Sequence, residues 1–175
     1  MFKLISRKEN YSGPIFSAYT DTIEMPDGKV IRRDSIEKRH DAAAVLAVKD
    51  DGNVVLVRQY RHSAGAEVLE APAGILDEGE TPLECAKREL EEETGFKAGK
   101  VDFMFQFYTT VGFCDEVVSI YCASELTEGV QHFDDDESLV IEEYPFDKAI
   151  EMVFDGRIVD AKTIAALLGF LARQR

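Results

Sequence analysis

Residues 74–96 read GILDEGETPLECAKRELEEETGF, a glycine-bounded loop followed by a capped helix and a stop. Thr81-Pro82-Leu83-Glu84 is a helix start: threonine caps, proline suits the first helical position, and Glu84 completes a capping box. Gly95 supplies the left-handed stop, with Phe96 placed to fold back near Leu90. The predicted helix runs over 82–93, and Leu83, Ala86 and Leu90 follow a spacing that faces a core. Eight residues of the stretch are acidic: Asp77, Glu78, Glu80, Glu84, Glu89, Glu91, Glu92 and Glu93. Like charges at helical spacing each cost a few tenths of a kcal/mol. A cation removes that penalty.

Glu89, Glu92 and Glu93 are related by i, i+3 and i+4, so they share one side of the helix. The 74–79 loop is placed to turn back over that side. Glu91 falls elsewhere and reads as solvated, while Arg88 can pair with a neighbouring carboxylate and hold it. An acidic helix face is ordinarily just solvated, but two capped ends, flanking glycines and a three-acid facet together favour a metal site. Ligands made only of oxygen suit Mg2+ or Mn2+ better than zinc.

Gly74, Glu80 and the run Arg88-Glu89-Leu90-Glu91-Glu92-Glu93-Thr94-Gly95-Phe96 resemble the Nudix box at every fixed position. The resemblance implies a Nudix-type α/β/α sandwich with a mixed sheet, and Mg2+-dependent hydrolysis of a nucleoside diphosphate linked to a second moiety. By position it implies Glu89, Glu92 and Glu93 as metal ligands, Glu93 also serving catalysis. The carbonyl of Ala73 is implied as a further ligand, with Glu80 and Arg88 as structural supports.

Several stretches outside the box resemble the ADP-ribose pyrophosphatase branch. Arg58-Gln59-Tyr60-Arg61 precedes Glu70-Ala71-Pro72-Ala73-Gly74, Val111-Gly112-Phe113-Cys114-Asp115-Glu116 follows the box, and Gly156-Arg157-Ile158-Val159-Asp160-Ala161-Lys162-Thr163 leads into a last helix. Thr110-Val111 stand where that branch usually has Ser-Pro. Arg61 and Arg58 are candidate substrate-binding residues, since a guanidinium forks onto phosphate or carboxylate oxygens. A salt bridge with one of the many acids is the plainer reading for Arg61. Glu70 suits ribose hydroxyls, or an ion pair with Arg58 or Arg61. Tyr60 and Phe113 suit stacking on a purine, or core packing. In Asp134-Asp135-Asp136-Glu137, a solvated loop by composition, the resemblance implies a loop that supplies the catalytic base, Glu137, with Glu116 second. His40, His62 and His132 lack the pairing of a nucleophilic or metal site.

At 175 residues and 45% hydrophobic content, the chain can bury one ordinary core and is not disordered. A formal charge of −14 argues against broad binding to nucleic acid or anionic membranes. Cys85, Cys114 and Cys122 are odd in number without metal-site spacing, so no disulfide framework is expected. No segment approaches the roughly 20 apolar residues of a bilayer span, and the chain reads as cytoplasmic.

Residues 14–38 alternate about Met25-Pro26-Asp27-Gly28 as a hairpin, and residues 32–38 are too charged for a central strand. Strands are predicted over 42–48, 54–59, 101–109, 117–123 and 138–144, with helices over 146–154 and 160–172. Residues 1–40 thus form an N-terminal antiparallel β sub-domain and 41–175 the Nudix domain, an α/β class overall. The implied substrate is ADP-ribose, giving AMP and ribose 5-phosphate, or a related nucleoside diphosphate sugar. The resemblance also implies a homodimer whose N-terminal sheets lie near the partner's site. A non-catalytic nucleotide-sugar sensor is the alternative, disfavoured because every box carboxylate is present. An RNA cap hydrolase would want a basic path that −14 does not offer.

Overall fold

A computed structural model describes residues 1–129 and 139–174. They form, in chain order, β1 (Lys3–Ser12), β2 (Phe16–Glu24), β3 (Val30–Lys38), β4 (Ala42–Val48), β5 (Asn53–Arg61), β6 (Ala66–Glu70) and β7 (Ala73–Ile75). Then come α1 (Pro82–Thr94), β8 (Phe96–Tyr108), β9 (Val117–Glu128), β10 (Leu139–Pro145), α2 (Phe146–Phe154) and α3 (Ala161–Arg173). The chain divides into two compact units. One comprises Met1–Asp41 with Phe107–Val117, the other Ala42–Gln106 with Val118–Arg175.

In the first unit, β1, β2 and β3 make a three-stranded antiparallel sheet in that order. Gly28 turns the β2–β3 hairpin with φ +83°, a left-handed conformation that glycine adopts without steric cost. All ten residues of β1 are exposed, which is why hydrophobic periodicity did not mark it as a strand.

The second unit is built on β4. Its neighbours are β5 and β7, both antiparallel, and β9, which is parallel. Such a strand is covered on both faces and reads as a continuous apolar run. Ala43, Ala44, Val45, Leu46 and Ala47 are fully buried. Ala43, Val45 and Ala47 join Cys85, Ala86 and Leu90 of α1, together with Val55, Tyr121 and Ala123, in one cluster. Ala44 and Leu46 alternate to the opposite face, where α3 packs on β4. Helices on both faces of a mixed sheet give the expected sandwich.

The structure corrects four local expectations. Leu83 is 36% exposed, because the core side of α1 is taken by Cys85, Ala86, Glu89, Leu90, Glu93 and Thr94 instead. β6 and β7 were not expected, since strands of five and three residues with Ala and Pro between them are too short to show the periodic signature. β8 begins at Phe96, directly after the Gly95 cap, and β9 continues to Glu128 on polar residues held by pairing rather than burial. Finally, Tyr60 and Phe113 are more than half exposed, so neither is core.

Candidate active site

The α1 helix is set by its own ends. The side chain of Thr81 accepts from the amide of Glu84 while Glu84 accepts from that of Thr81, and Gly95 closes the helix at φ 73°. Phe96 packs against the cluster containing Leu90. With the ends fixed, Glu89 and Glu93 fall on the side that meets the sheet and are 8% and 2% exposed. Buried carboxylates need partners. Glu93 Oε2 accepts from the Ala73 amide at 3.2 Å, which ties the β7 backbone to the helix.

Arg88 organises the other acids. Its Nε and Nη2 fork onto Glu80 at 2.9 Å each, and Nη2 also reaches the Ile75 carbonyl at 3.1 Å. Its Nη1 donates to Glu89 Oε1 at 2.7 Å and to Glu92 Oε2 at 2.9 Å. Glu80 in turn accepts from the Asp77 amide, so one guanidinium joins the loop to the helix. The side-chain hydrogen bonds from Arg88 hold the Glu80 carboxyl below the usual carboxylate range, and the same contacts push Arg88 up. Glu91 pairs with Lys97 away from this group. Cys85 lies fully buried beneath, and burial pushes its thiol up to about 12.

Gly74 is the position where the loop comes closest. A Cβ there would lie 1.8 Å from Glu89 Oε1, so only glycine leaves that carboxylate its place. Among the described residues, no three His, Cys, Asp or Glu side chains converge as a ready metal cage. The donor set nonetheless fits a hard divalent cation: Glu89, Glu92 and Glu93 are oxygen ligands on one helix, beside the Ala73–Gly74 backbone, with Arg88 as their counter-charge. Gly74→Ala is expected to reduce kcat about a hundredfold by displacing Glu89, with little change in Tm. Parallel kinetics and thermal melts check it.

A second cluster lies at the ends of β5 and β6. Arg61 forks onto Glu70, Nε to Oε1 at 2.7 Å and Nη2 to Oε2 at 2.8 Å. Lys162 also donates to Glu70 Oε2 and reaches Asp160 Oδ1 at 3.1 Å. Asp160 caps α3 through the amide of Thr163, and Thr163 Oγ1 accepts from the Ala71 amide at 2.7 Å. Burial pushes the Glu70 carboxyl up, but Arg61 and Lys162 outweigh it and leave the group below its ordinary value. Of the two arginines weighed for Glu70, the structure uses Arg61. Arg58 pairs instead with Glu142 on the neighbouring strand β10, which Tyr144 also joins. Sequence reasoning missed Lys162 and Glu142, because their partners are 92 and 84 residues away.

Removing one partner of a buried charge pair leaves the others uncompensated. Glu70→Ala is therefore expected to cost about 3 kcal/mol, a fall in Tm of roughly 6–12 °C. A depressed native pKa means the unfolded chain binds more protons, so Glu70 stabilises above its ordinary value of 4.5. That contribution is lost as pH falls through the depressed native value. Acid titrations of wild type and variant should therefore converge at low pH.

Glu116 lies in the Phe107–Val117 segment of the first unit, and its carbonyl accepts from the Thr109 amide at 3.1 Å. Glu137 lies outside the described residues. No helix among those described is long and apolar enough to cross a membrane.

Residues 38–167 match the model of the NUDIX domain. The chain is 39% identical to the ADP-ribose pyrophosphatase of Bacillus subtilis (strain 168), covering 94% of this chain and 90% of that protein. It is 35% identical to the methanol dehydrogenase activator of Bacillus methanolicus, with the same coverage. A solved structure described as an ADP compounds hydrolase superposes with a TM-score of 0.82, covering 99% of this chain and 92% of that one. At 24% identity, that likeness is one of fold. The matched domain, the relatives and the glutamates set on α1 agree: the chain belongs to the Nudix hydrolase family.

Proposed function

We propose that this Nudix hydrolase cleaves the pyrophosphate bond of ADP-ribose, or of a closely related nucleoside diphosphate sugar, with Mg2+ held by Glu89, Glu92, Glu93 and the Ala73 carbonyl. The observation that carries this reading is the pair of buried carboxylates, Glu89 and Glu93, set beside the Ala73–Gly74 backbone. Mn2+ suits the same oxygen donors. The identity to an ADP-ribose pyrophosphatase supports the substrate class. When bound, the cation supplies positive charge to the diphosphate and makes a water molecule more acidic.

The chain's own residues do the rest. Arg88 keeps Glu89 and Glu92 at fixed positions, and its fork onto Glu80 fixes Arg88 itself. Arg61 spends Nε and Nη2 on Glu70, so Nη1 is the arm it offers a diphosphate oxygen. Glu70, 3% exposed, holds Arg61 and Lys162 in place for that task. Glu137 takes the proton from the attacking water. Arg58, engaged by Glu142, contributes through the sheet edge it stiffens.

The experiment is a panel of ADP-ribose, other nucleotide sugars, diadenosine polyphosphates and nucleoside triphosphates, with products identified in 18O water. AMP and ribose 5-phosphate are expected from ADP-ribose. A panel in which nothing is cleaved returns the non-catalytic sensor, and cleavage of other members alone makes it a hydrolase of another nucleoside diphosphate derivative. The protein is also proposed to work as a homodimer, a reading supported by the exposed Leu4, Ile5 and Tyr11 on β1. Sedimentation should give twice the chain mass, and a monomer at working concentration contradicts it.

A further inference from the structure

The connector Ala71-Pro72-Ala73 joins strands with different partners: β6 pairs with β5, and β7 with β4. No continuous ladder runs through it, so its backbone is held one group at a time. The Ala71 amide donates to Thr163 Oγ1 at 2.7 Å. Pro72 has no amide, and its carbonyl accepts from the Val45 amide of β4 at 2.9 Å. The Ala73 amide donates to Glu93 Oε2 at 3.2 Å. Facing residues of an antiparallel pair alternate between bonded and non-bonded positions. The bond from Val45 to Pro72 therefore puts Ala73, opposite Ala44, at a non-bonded position. The amide and carbonyl of Ala73 both turn away from β4, to the side that meets Glu93.

Thr163 sits in the first turn of α3 and is fully buried. Its hydroxyl donates to Asp160 Oδ2 at 2.6 Å, which leaves its lone pairs for the Ala71 amide. Asp160 Oδ2 also accepts from the Thr163 amide at 2.9 Å, and Asp160 Oδ1 pairs with Lys162 Nζ at 3.1 Å. Capping α3 needs only that amide, so a residue with any side chain at position 163 would serve the cap. The hydroxyl is an addition that the helix does not require. Its acceptor capacity goes to the connector.

We propose that Thr163 is a positioning residue for the cation site: its hydroxyl, aimed by Asp160, latches the Ala71 amide and so holds the Ala73 carbonyl beside Glu93. This rests on the proposed cation site of Glu89, Glu92, Glu93 and the Ala73 carbonyl. It gives α3 a part in metal binding through a side chain that does not itself meet the ion.

The test compares Thr163→Val, which keeps the shape and loses the hydroxyl, with Thr163→Ser, which keeps the hydroxyl. Leu167→Ala, which removes buried apolar packing from the same helix, is the stability control. Each protein is titrated with Mg2+ by calorimetry without substrate, and hydrogen exchange is followed at the Ala71 and Ala73 amides. Thr163→Val is expected to weaken Mg2+ binding about tenfold, as loss of a group that orients a ligand does, and to speed exchange at both amides. Thr163→Ser should stay within about twofold of wild type in affinity. Leu167→Ala should lower Tm at least as much as Thr163→Val yet keep the wild-type affinity, because lost packing alone does not free the connector. In the wild type, saturating Mg2+ should slow exchange at the Ala71 amide more than at the amides of α2, since coupling between ion and latch runs both ways. That measurement decides the matter even if Thr163→Val does not fold. The inference is overturned by wild-type Mg2+ affinity in Thr163→Val, by equal weakening in Thr163→Ser or Leu167→Ala, or by Ala71 exchange that Mg2+ leaves unchanged. A wild-type protein that binds no Mg2+ removes the proposed cation site first and the latch with it, a result distinct from each of these.

Discussion

Glutamine at position 93 is expected to lower kcat about a thousandfold with the fold intact. The side chain is 2% exposed, and one of its oxygens accepts from the Ala73 amide at 3.2 Å. A glutamine oxygen can still accept that bond, so the β7 backbone stays against α1. What disappears is the negative charge. A cation's stabilisation of developing phosphoryl charge is worth several kcal/mol, and each 1.36 kcal/mol is about tenfold in rate. Glu92→Gln should be milder and should be rescued in part by excess Mg2+, because Glu92 is more exposed and is held on the surface by Arg88. Calorimetric Mg2+ titration of both variants separates weakened binding from lost chemistry. An unchanged Mg2+ affinity in both would end the assignment of these carboxylates as ligands.

Glu137→Gln is expected to lower turnover about 10²–10⁴-fold, the usual range for removing a general base. The contrast with the box variants is diagnostic. A base receives a proton and holds no cation, so added Mg2+ should restore nothing, and calorimetry should return the wild-type affinity. The acid limb of the kcat profile, which reports deprotonation of the base in the enzyme–substrate complex, should flatten in this variant. Wild-type turnover would pass the role to Glu116.

The α1 helix was legible in detail because everything that specifies it is local. Its cap, its proline and its glycine stop lie within the same short stretch, and the i, i+3, i+4 relation of Glu89, Glu92 and Glu93 follows from helix geometry. Strand β4 was legible for a different reason, a continuous apolar run that only a fully covered strand explains. Burial direction was harder. Leu83 looked like core and is exposed, whereas the buried side of α1 includes Glu89 and Glu93, because polar atoms from Ala73 and Arg88 are there to receive them.

Strand β1 and the short strands β6 and β7 carried no readable pattern, since pairing with neighbouring strands rather than burial of a face defines them.

By itself the sequence determined the family, the capped helix α1 and the chemistry of its side chains, all of which rest on residues within a few turns of one another. Only the tertiary structure decided that Arg61 rather than Arg58 meets Glu70, that Lys162 joins them, that Asp115 meets the Lys38 amide and that Asp41 meets the Val117 amide. Those partners are separated by 9, 92, 77 and 76 residues. Which acid a long cationic side chain finds depends on sheet register and on where the connecting loops return, and neither is written in local spacing.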